Sequence, residues 1–345
     1  MIEITADTAA DYLRHAGRVE SSEPIEVREL AGGVSNVVLL VTLPARGERW
    51  VLKQARDRLR VQEDWRCSVE RIWREVEVLR ICGPLLAQTP GAESRQTLYG
   101  PCVPDVLWED RENYLFAMTA APREHCTWKS MLLGEWDNKS LFIAVAAGRL
   151  LGRLHAGTWR SEAIARQLAD RTFFDQLRLD PYYRFTAGVH ADRAGQLQQL
   201  ARSVLSHRLC LVHGDFSPKN LLVWPGHVML IDCEVGHFGD PAFDLGFFLT
   251  HLVAKWTHAP DHRHLLHRAA RWFWLAYREE LAPVVSSDEI ADLQRRMMLN
   301  LAGCLLARAD GKSPLEYLTD AERHAIRTLG REWLVTPPDR LTAED

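Results

Sequence analysis

The chain has 345 residues, 47% hydrophobic and 26% charged, which suits about two globular domains and excludes a disordered, collagen-like or low-complexity protein. Forty-two Lys and Arg against 46 Asp and Glu leave a net charge of −4, which gives no support to nucleic acid as the main partner. No apolar run approaches eighteen residues, the first residues are mixed and acidic, and the seven cysteines are scattered without a C-x-x-C. A membrane span, a signal peptide, a disulfide framework and a zinc ribbon are therefore not indicated, and a cytoplasmic chain with reduced thiols is expected.

The first third reads as strands. IEVREL (25–30), VSNVVLLVTL (34–43) and ERWVLKQA (48–55) are β-branched or alternating runs, and Pro44–Gly47 suits a hairpin connection. Residues 63–82 read as a helix, with Val69, Ile72, Trp73, Val76 and Leu79 at three- and four-residue steps. Two more strands are expected near 103–109 and 113–119.

After Ala120-Ala121-Pro122 the character changes. Residues 141–159 read as a helix in which Gly148 and Gly152 stand at interior positions. Each costs about 1 kcal/mol against Ala, which points to close packing on another element. A helix at 191–206, short strands at 209–212, 221–224 and 228–231, and helices at 241–256, 262–281, 287–308 and 320–333 follow. The expectation is an α+β chain in two lobes, β-rich over 1–120 and mostly helical over 121–345.

The informative stretch runs from His213 to Asp244. Leu221–Trp224 and Val228–Ile231 are apolar runs joined by Pro225-Gly226, a strong turn dipeptide. A two-residue loop sets Trp224 opposite His227 and Asn220 opposite Ile231, with Asp232 one step on. Asp215 and Glu234 flank the same end. This oxygen-rich cluster suits a hard cation such as Mg²⁺ and leaves one carboxylate to orient or deprotonate a hydroxyl. Phosphoryl transfer requires those parts. Asp215 and Asn220 also carry the spacing of the catalytic Asp and metal-binding Asn in the protein-kinase motif H-R-D-x-x-x-x-N.

His213-Gly214-Asp215 with Asn220, the hairpin, Asp232-x-Glu234 and Gly239-Asp240-Pro241 with Asp244 resemble the aminoglycoside phosphotransferase/choline kinase superfamily. The resemblance implies small-molecule kinases with a two-lobed, protein-kinase-like fold, using ATP and Mg²⁺. It implies Asp215 as catalytic base, Asn220 and Asp232 as metal ligands, and Glu234 as a further metal contact. Asp244 would steady the catalytic loop. Gly32, Gly33, Ser35 and Asn36 fall where the nucleotide loop lies, Lys53 matches the phosphate-binding strand lysine, and Glu75 its helix partner. Met118, Thr119, Ala120 and Ala121 match the hinge that hydrogen-bonds adenine. The N-terminal helix, V-L-K-Q-A, E-x-E-x-L and D-x-E are closest to the 5-methylthioribose kinase branch, which implies a homodimer. Arg295 and Arg296 resemble that branch's substrate-binding pair. Lys219-Asn220 and Gly239-Asp240-Pro241-Ala242 read instead like the general family.

The expected reaction is therefore transfer of the γ-phosphoryl group of ATP to a hydroxyl of a sugar such as methylthioribose, an amino alcohol or an aminoglycoside. Two other classes stay open: an atypical protein kinase, against which no D-F-G, A-P-E or long activation segment is seen, and a non-catalytic nucleotide-binding module, against which Asp215, Asn220 and Asp232 are all intact. Gly311-Lys312-Ser313 lacks the glycine of a Walker A loop, and His258, His262, His264 and His267 lack metal-site spacing apart from one pair interrupted by Pro260.

Overall fold

The apolar runs of the first third assemble into one antiparallel sheet in a computed structural model that describes residues 2–30, 35–58, 67–87, 99–134 and 139–339. A short helix α1 (Ala9–His15) precedes strands β1 (Glu26–Glu29), β2 (Asn36–Leu43) and β3 (Glu48–Ala55). Helix α2 (Arg71–Ala87), strand β4 (Gly100–Cys102), β5 (Val106–Asp110) and β6 (Leu115–Thr119) follow, and the sheet order is β1-β2-β3-β6-β5. The expected turn closes β2 on β3, with the Gly47 N–H donating to the Pro44 carbonyl at 3.3 Å.

Alternation sorts the side chains to two faces. Val37, Leu39, Val41, Trp50 and Leu52 pack with Leu13 of α1. Leu40, Val51, Phe116 and Met118 face the other way, toward Ile72, Val76 and Leu79 of α2. Lys53 lies one pleat from Val51, opposite Val38 and Phe116, and is only 5% exposed. The strand period thus carries a lysine to the α2 side.

The helix expected over 63–82 differs at both ends. Residues 63–66 lie outside the described residues, and α2 begins at Arg71, entered through tight turns in which the Ile72 and Trp73 N–H groups reach the Val69 and Glu70 carbonyls. It runs on through Pro84 to Ala87. Proline removes a donor there, but Leu79, Cys82 and Leu86 stay buried in one stripe, so packing outweighs the lost bond.

Strand β7 (Cys126–Thr127) and helices α3 (Trp128–Leu133), α4 (Lys139–Thr158), α5 (Glu162–Gln167) and α6 (Thr172–Phe174) come next. A π-helical stretch over Asp175–Arg184 then leads to α7 (Phe185–Val189) and α8 (Ala194–Ser206). Strands β8 (Cys210–Val212), β9 (Leu221–Trp224), β10 (His227–Leu230) and β11 (His237–Gly239) precede α9 (Pro241–His258), α10 (Arg263–Leu281), α11 (Ser287–Asp310) and α12 (Asp320–Trp333). β4 joins a second sheet in the order β4-β10-β9-β7, and β8 pairs with β11.

Every residue of α9 from Pro241 to Trp256 is buried, which makes it the central helix of this region. The two α4 glycines meet α10. A Cβ at Gly148 would strike the Phe273 carbonyl, and one at Gly152 would lie 2.9 Å from the Tyr277 carbonyl. No helix among the described residues is long and apolar enough to cross a membrane.

Candidate active site

β8 delivers the chain into His213-Gly214-Asp215. Gly214 has φ +78°, and a Cβ there would meet Val235 Cγ2 at 2.9 Å, so the turn needs glycine. The start of α9 anchors this loop. Asp240 accepts from the Ala242 N–H at 3.1 Å, capping the helix. One turn on, the Asp244 oxygens accept from the His213 and Gly214 N–H groups at 2.7 and 2.8 Å. Burial opposes the Asp244 charge, but its bond with His155 and the loop donors hold its carboxyl below the usual range. Burial pulls the His213 imidazole down, and its ring accepts from the Asp215 N–H at 3.1 Å.

Asp215 is buried, and its contacts are one-sided. Oδ2 gathers Asn220 Nδ2 at 2.9 Å, Lys219 Nζ at 3.0 Å and Arg178 Nη2 at 3.0 Å. No described residue donates to Oδ1. Burial works against the carboxylate, yet Arg178 and Lys219 outweigh it and keep the group below its ordinary pKa. The result is an ionised carboxylate with one oxygen fixed and one open.

Arg178 escapes sequence reasoning. It lies on the π-helical stretch, where the register follows neither a helix nor a strand period, and its Nε donates to the Gly214 carbonyl at 2.7 Å. The only signal is a charge between two residues, Leu177 and Leu179, that are both buried. Lys219 appears in sequence only as a departure from the methylthioribose branch; here it is a direct partner of Asp215.

The β9–β10 hairpin has the expected register, with Trp224 opposite His227 and the Ile231 N–H donating to the Asn220 carbonyl at 3.0 Å. It carries Asn220 and Asp232 to one end. Asn220 Nδ2 is spent on Asp215, which leaves Oδ1 as its open acceptor. Asp232 has φ +69°, a left-handed conformation that costs an L-residue about 1–2 kcal/mol. Lys53 Nζ holds it, 2.6 Å from Asp232 Oδ1 and 2.6 Å from Glu75 Oε2. Burial opposes the Asp232 charge, but Lys53 and Lys219 drive its carboxyl well below the usual range. Burial pushes Glu75 up to about 7 against the pull of Lys53. Carboxylate oxygens of Glu75, Asp232 and Glu234 lie within 4.8 Å of one another around that single ammonium.

Glu234 is tied to the other side of the cleft. It accepts from Ser35 Oγ at 2.7 Å, Asn36 Nδ2 at 2.8 Å and Arg71 Nε at 3.2 Å. Arg71, fully buried, is a second residue the sequence reading missed. Gly32 and Gly33, expected in the nucleotide loop, lie outside the described residues. In the hinge, the Thr119 and Ala120 N–H groups donate to the Asp105 and Arg49 carbonyls, so among the described residues the Ala121 N–H is left open beyond Met118.

Arg295 and Arg296 are not brought to this cluster. Arg295 is solvent-exposed and pairs with Asp292 at 2.9 Å. Arg296 is buried against Asp240 at 3.1 Å, and Asp240 follows β11 at the Cys210 end of the β8–β11 ribbon, five residues back from Asp215. The two arginines meet on one carboxylate, because Arg296 also pairs with Asp292, one turn back on α11.

Residues 26–284 match the Phosphotransferase enzyme family. The chain is 25% identical to a methylthioribose kinase of Exiguobacterium sibiricum, over 94% of this chain and 91% of that one. It is 26% identical to a methylthioribose kinase of Yersinia enterocolitica, over 74% of this chain and 67% of the relative. Among solved structures, an ethanolamine kinase of Plasmodium vivax superposes with a TM-score of 0.55 at 12% identity, over 97% of this chain and 90% of that one. A choline/ethanolamine kinase family protein of Mesorhizobium loti gives 0.52 at 16% identity, over 96% and 95%. Both share the fold.

Proposed function

The chain belongs to the phosphotransferase enzyme family, and from that premise we propose how its residues carry out ATP-dependent phosphorylation of a small-molecule hydroxyl. The observation that carries the reading is the open Oδ1 of Asp215 beside Asn220, Asp232 and Lys53. The acceptor hydroxyl donates to Asp215 Oδ1. As its oxygen bonds to the γ-phosphorus, the bond to the β,γ-bridging oxygen breaks, ADP departs, and the hydroxyl proton passes to Asp215. A carboxylate held this acidic orients the hydroxyl first and takes the proton late, as suits a loose phosphoryl-transfer transition state.

Lys53, set by Glu75 and Asp232, neutralises the phosphates of the nucleotide. The Ala121 N–H is the hinge donor to the base, because the donors before it are taken. The open Asn220 oxygen and the Asp232 carboxylate form an all-oxygen donor set that fits Mg²⁺. The ion, when bound, would screen charge on the phosphate oxygens. Glu234 joins Ser35 and Asn36 to this segment, which couples the nucleotide loop to the metal side.

The acceptor is a sugar-class hydroxyl compound rather than an amino alcohol or aminoglycoside. Asp215 is flanked by Arg178 and Lys219, and cations repel a cationic substrate. The curated relatives are methylthioribose kinases, which agrees. We place the boundary between a nucleotide lobe, 1–120, and a catalytic lobe, 121–345, at the hinge, and infer a cytoplasmic enzyme from seven cysteines that are all free thiols. Incubation with Mg·ATP and a panel of sugars and amino alcohols, read by ³¹P NMR, tests the class. A phosphate ester on a sugar hydroxyl is expected, and esters only on amino alcohols would overturn the acceptor reading.

A further inference from the structure

Helix α9 carries Asp244, Phe247, His251 and Lys255 at three- and four-residue steps, one row along one face. The Asp244 end holds the catalytic loop. The other end holds a cation without a carboxylate. Lys255 is 1% exposed, its Nζ lies 3.4 Å from the His251 carbonyl and 5.2 Å from the centre of the Tyr317 ring, and no described residue gives it an anion. An unpaired buried ammonium is strongly unfavourable.

Its surroundings share the deficit. His251 Nε2, the Tyr317 hydroxyl and Arg308 Nε are buried without hydrogen-bond partners. The Arg308 guanidinium bonds only the Ser313 carbonyl and hydroxyl, at 2.8 and 2.9 Å, and has no carboxylate among the described residues. Glu316 is the nearby acid and favours the Lys255 charge from a distance, but its ion pair is with Lys129, at 2.7 Å. Burial, then Lys129 and Arg308, pull the Lys255 ammonium down to about 7.

This cluster adjoins Asp215 through one aromatic ring. Arg178, the partner of Asp215, lies 5.9 Å from the centre of the Phe247 ring. Arg308 lies 5.3 Å from that centre, and the His251 ring is 5.3 Å away. From Phe247 to Lys255 is about 12 Å along the helix axis, the scale of one small sugar derivative. The unfilled capacity is of one kind: ammonium, guanidinium, phenol and imidazole all supply donors, and only an oxyanion both accepts from them and cancels the charge.

We propose that Lys255, His251 and Arg308 form an oxyanion subsite of the acceptor pocket, so that the molecule phosphorylated is a small polyol carrying a carboxylate or a phosphate. This rests on the reading of Asp215 as the group that faces the acceptor. The anion takes no part in the bond changes; it holds the far end of the acceptor while one of its hydroxyls lies at Asp215.

The test uses the full chain loaded with Mg·AMP-PNP, which fills the nucleotide's own phosphate positions. Inorganic phosphate, compared with chloride at equal ionic strength, is expected to raise the melting temperature of the wild type and not of Lys255→Met. A neutral pentose, its 5-phosphate and its aldonate are then compared by calorimetry. The charged members are expected to bind at least about tenfold more tightly than the neutral one, as a charge-assisted contact allows. Lys255→Met and Arg308→Met are each expected to bring that ratio near one. The phosphate and aldonate arms separate the two kinds of anion. Absence of a phosphate effect in the wild type, no charge preference, or a preference kept in both variants would overturn the subsite. Failure of the kinase reading shows separately, as a charge preference that persists while no acceptor stimulates ADP release.

Discussion

Replacing Arg178 by methionine tests whether Asp215 is held ionised by that guanidinium. Methionine keeps much of the length over Phe247 but removes the charge and its donors. The Gly214 carbonyl loses its bond from Nε at 2.7 Å, and Asp215 Oδ2 loses one of three partners. An unsatisfied buried carbonyl costs about 1–3 kcal/mol. Breaking a buried ion pair costs about 3–5 kcal/mol, and Lys219 and Asn220 remain on Asp215, so the lower end applies. Together the two effects give an expected loss of about 4–6 kcal/mol, a large part of the stability of an ordinary domain. The direction with pH also follows. The folded pKa of Asp215 is depressed, so its contribution is present above the unfolded value and is lost as pH falls through the folded one. Without Arg178, burial is opposed only by Lys219 and the Asn220 bond, and the folded pKa rises. The acid limb of kcat/KM therefore moves to higher pH, and the stability lost on acidification is lost earlier. Arg178→Lys keeps the charge without the planar fork and is expected to fall between. Urea unfolding and a pH–rate profile read both effects. Stability within about 0.5 kcal/mol of wild type together with an unmoved acid limb would refute the assignment.

Other outcomes are equally specific. Gly148→Ala should lower stability by about 1–3 kcal/mol despite alanine's better helix propensity, because the new Cβ meets the Phe273 carbonyl; a melting temperature above wild type would show that α4 and α10 do not approach this closely. Asp232→Gly and Asp232→Ala should both abolish turnover, with the glycine variant about 1 kcal/mol the more stable in urea because it relieves φ +69°; equal stability would deny the strain. Asp244→Ala should strip the His213 and Gly214 N–H groups of their acceptor at about 1–3 kcal/mol each, and lower kcat more than it raises KM; a loss confined to KM would contradict its role in positioning the catalytic loop.

What the sequence reveals and what it hides divide along physical lines. The long helices α4 and α8–α12 and the strands β2 and β3 are periodic over enough residues to be read directly. The hairpin register follows from one turn dipeptide, and with it the approach of Asn220 and Asp232. Strands β4, β7 and β11 span two or three residues, too few for any period, and take their form from long-range pairing. The 160–190 segment folds largely as short helices and a π-helical stretch, so no regular spacing points at Arg178. Arg71 is likewise hidden, since its role exists only where Glu234, 163 residues later, is brought to it. The tie of Arg296 to Asp240 is hidden in the same way, since 56 residues separate them, whereas the pairing of Arg295 and Arg296 with Asp292 lies at helical spacing and is local.

The most direct measurement is acceptor-dependent ADP release by the wild type and Asp215→Asn, with Mg·ATP and a panel of neutral and anionic sugars, amino alcohols and aminoglycosides. Nucleotide affinity is measured alongside. Release with a sugar-class acceptor is expected, with a fall of about 100- to 10,000-fold in turnover for the variant and its nucleotide affinity kept. Turnover unchanged in Asp215→Asn would contradict the assignment of Asp215, because the open carboxylate oxygen on which the reading stands would then play no part in the transfer.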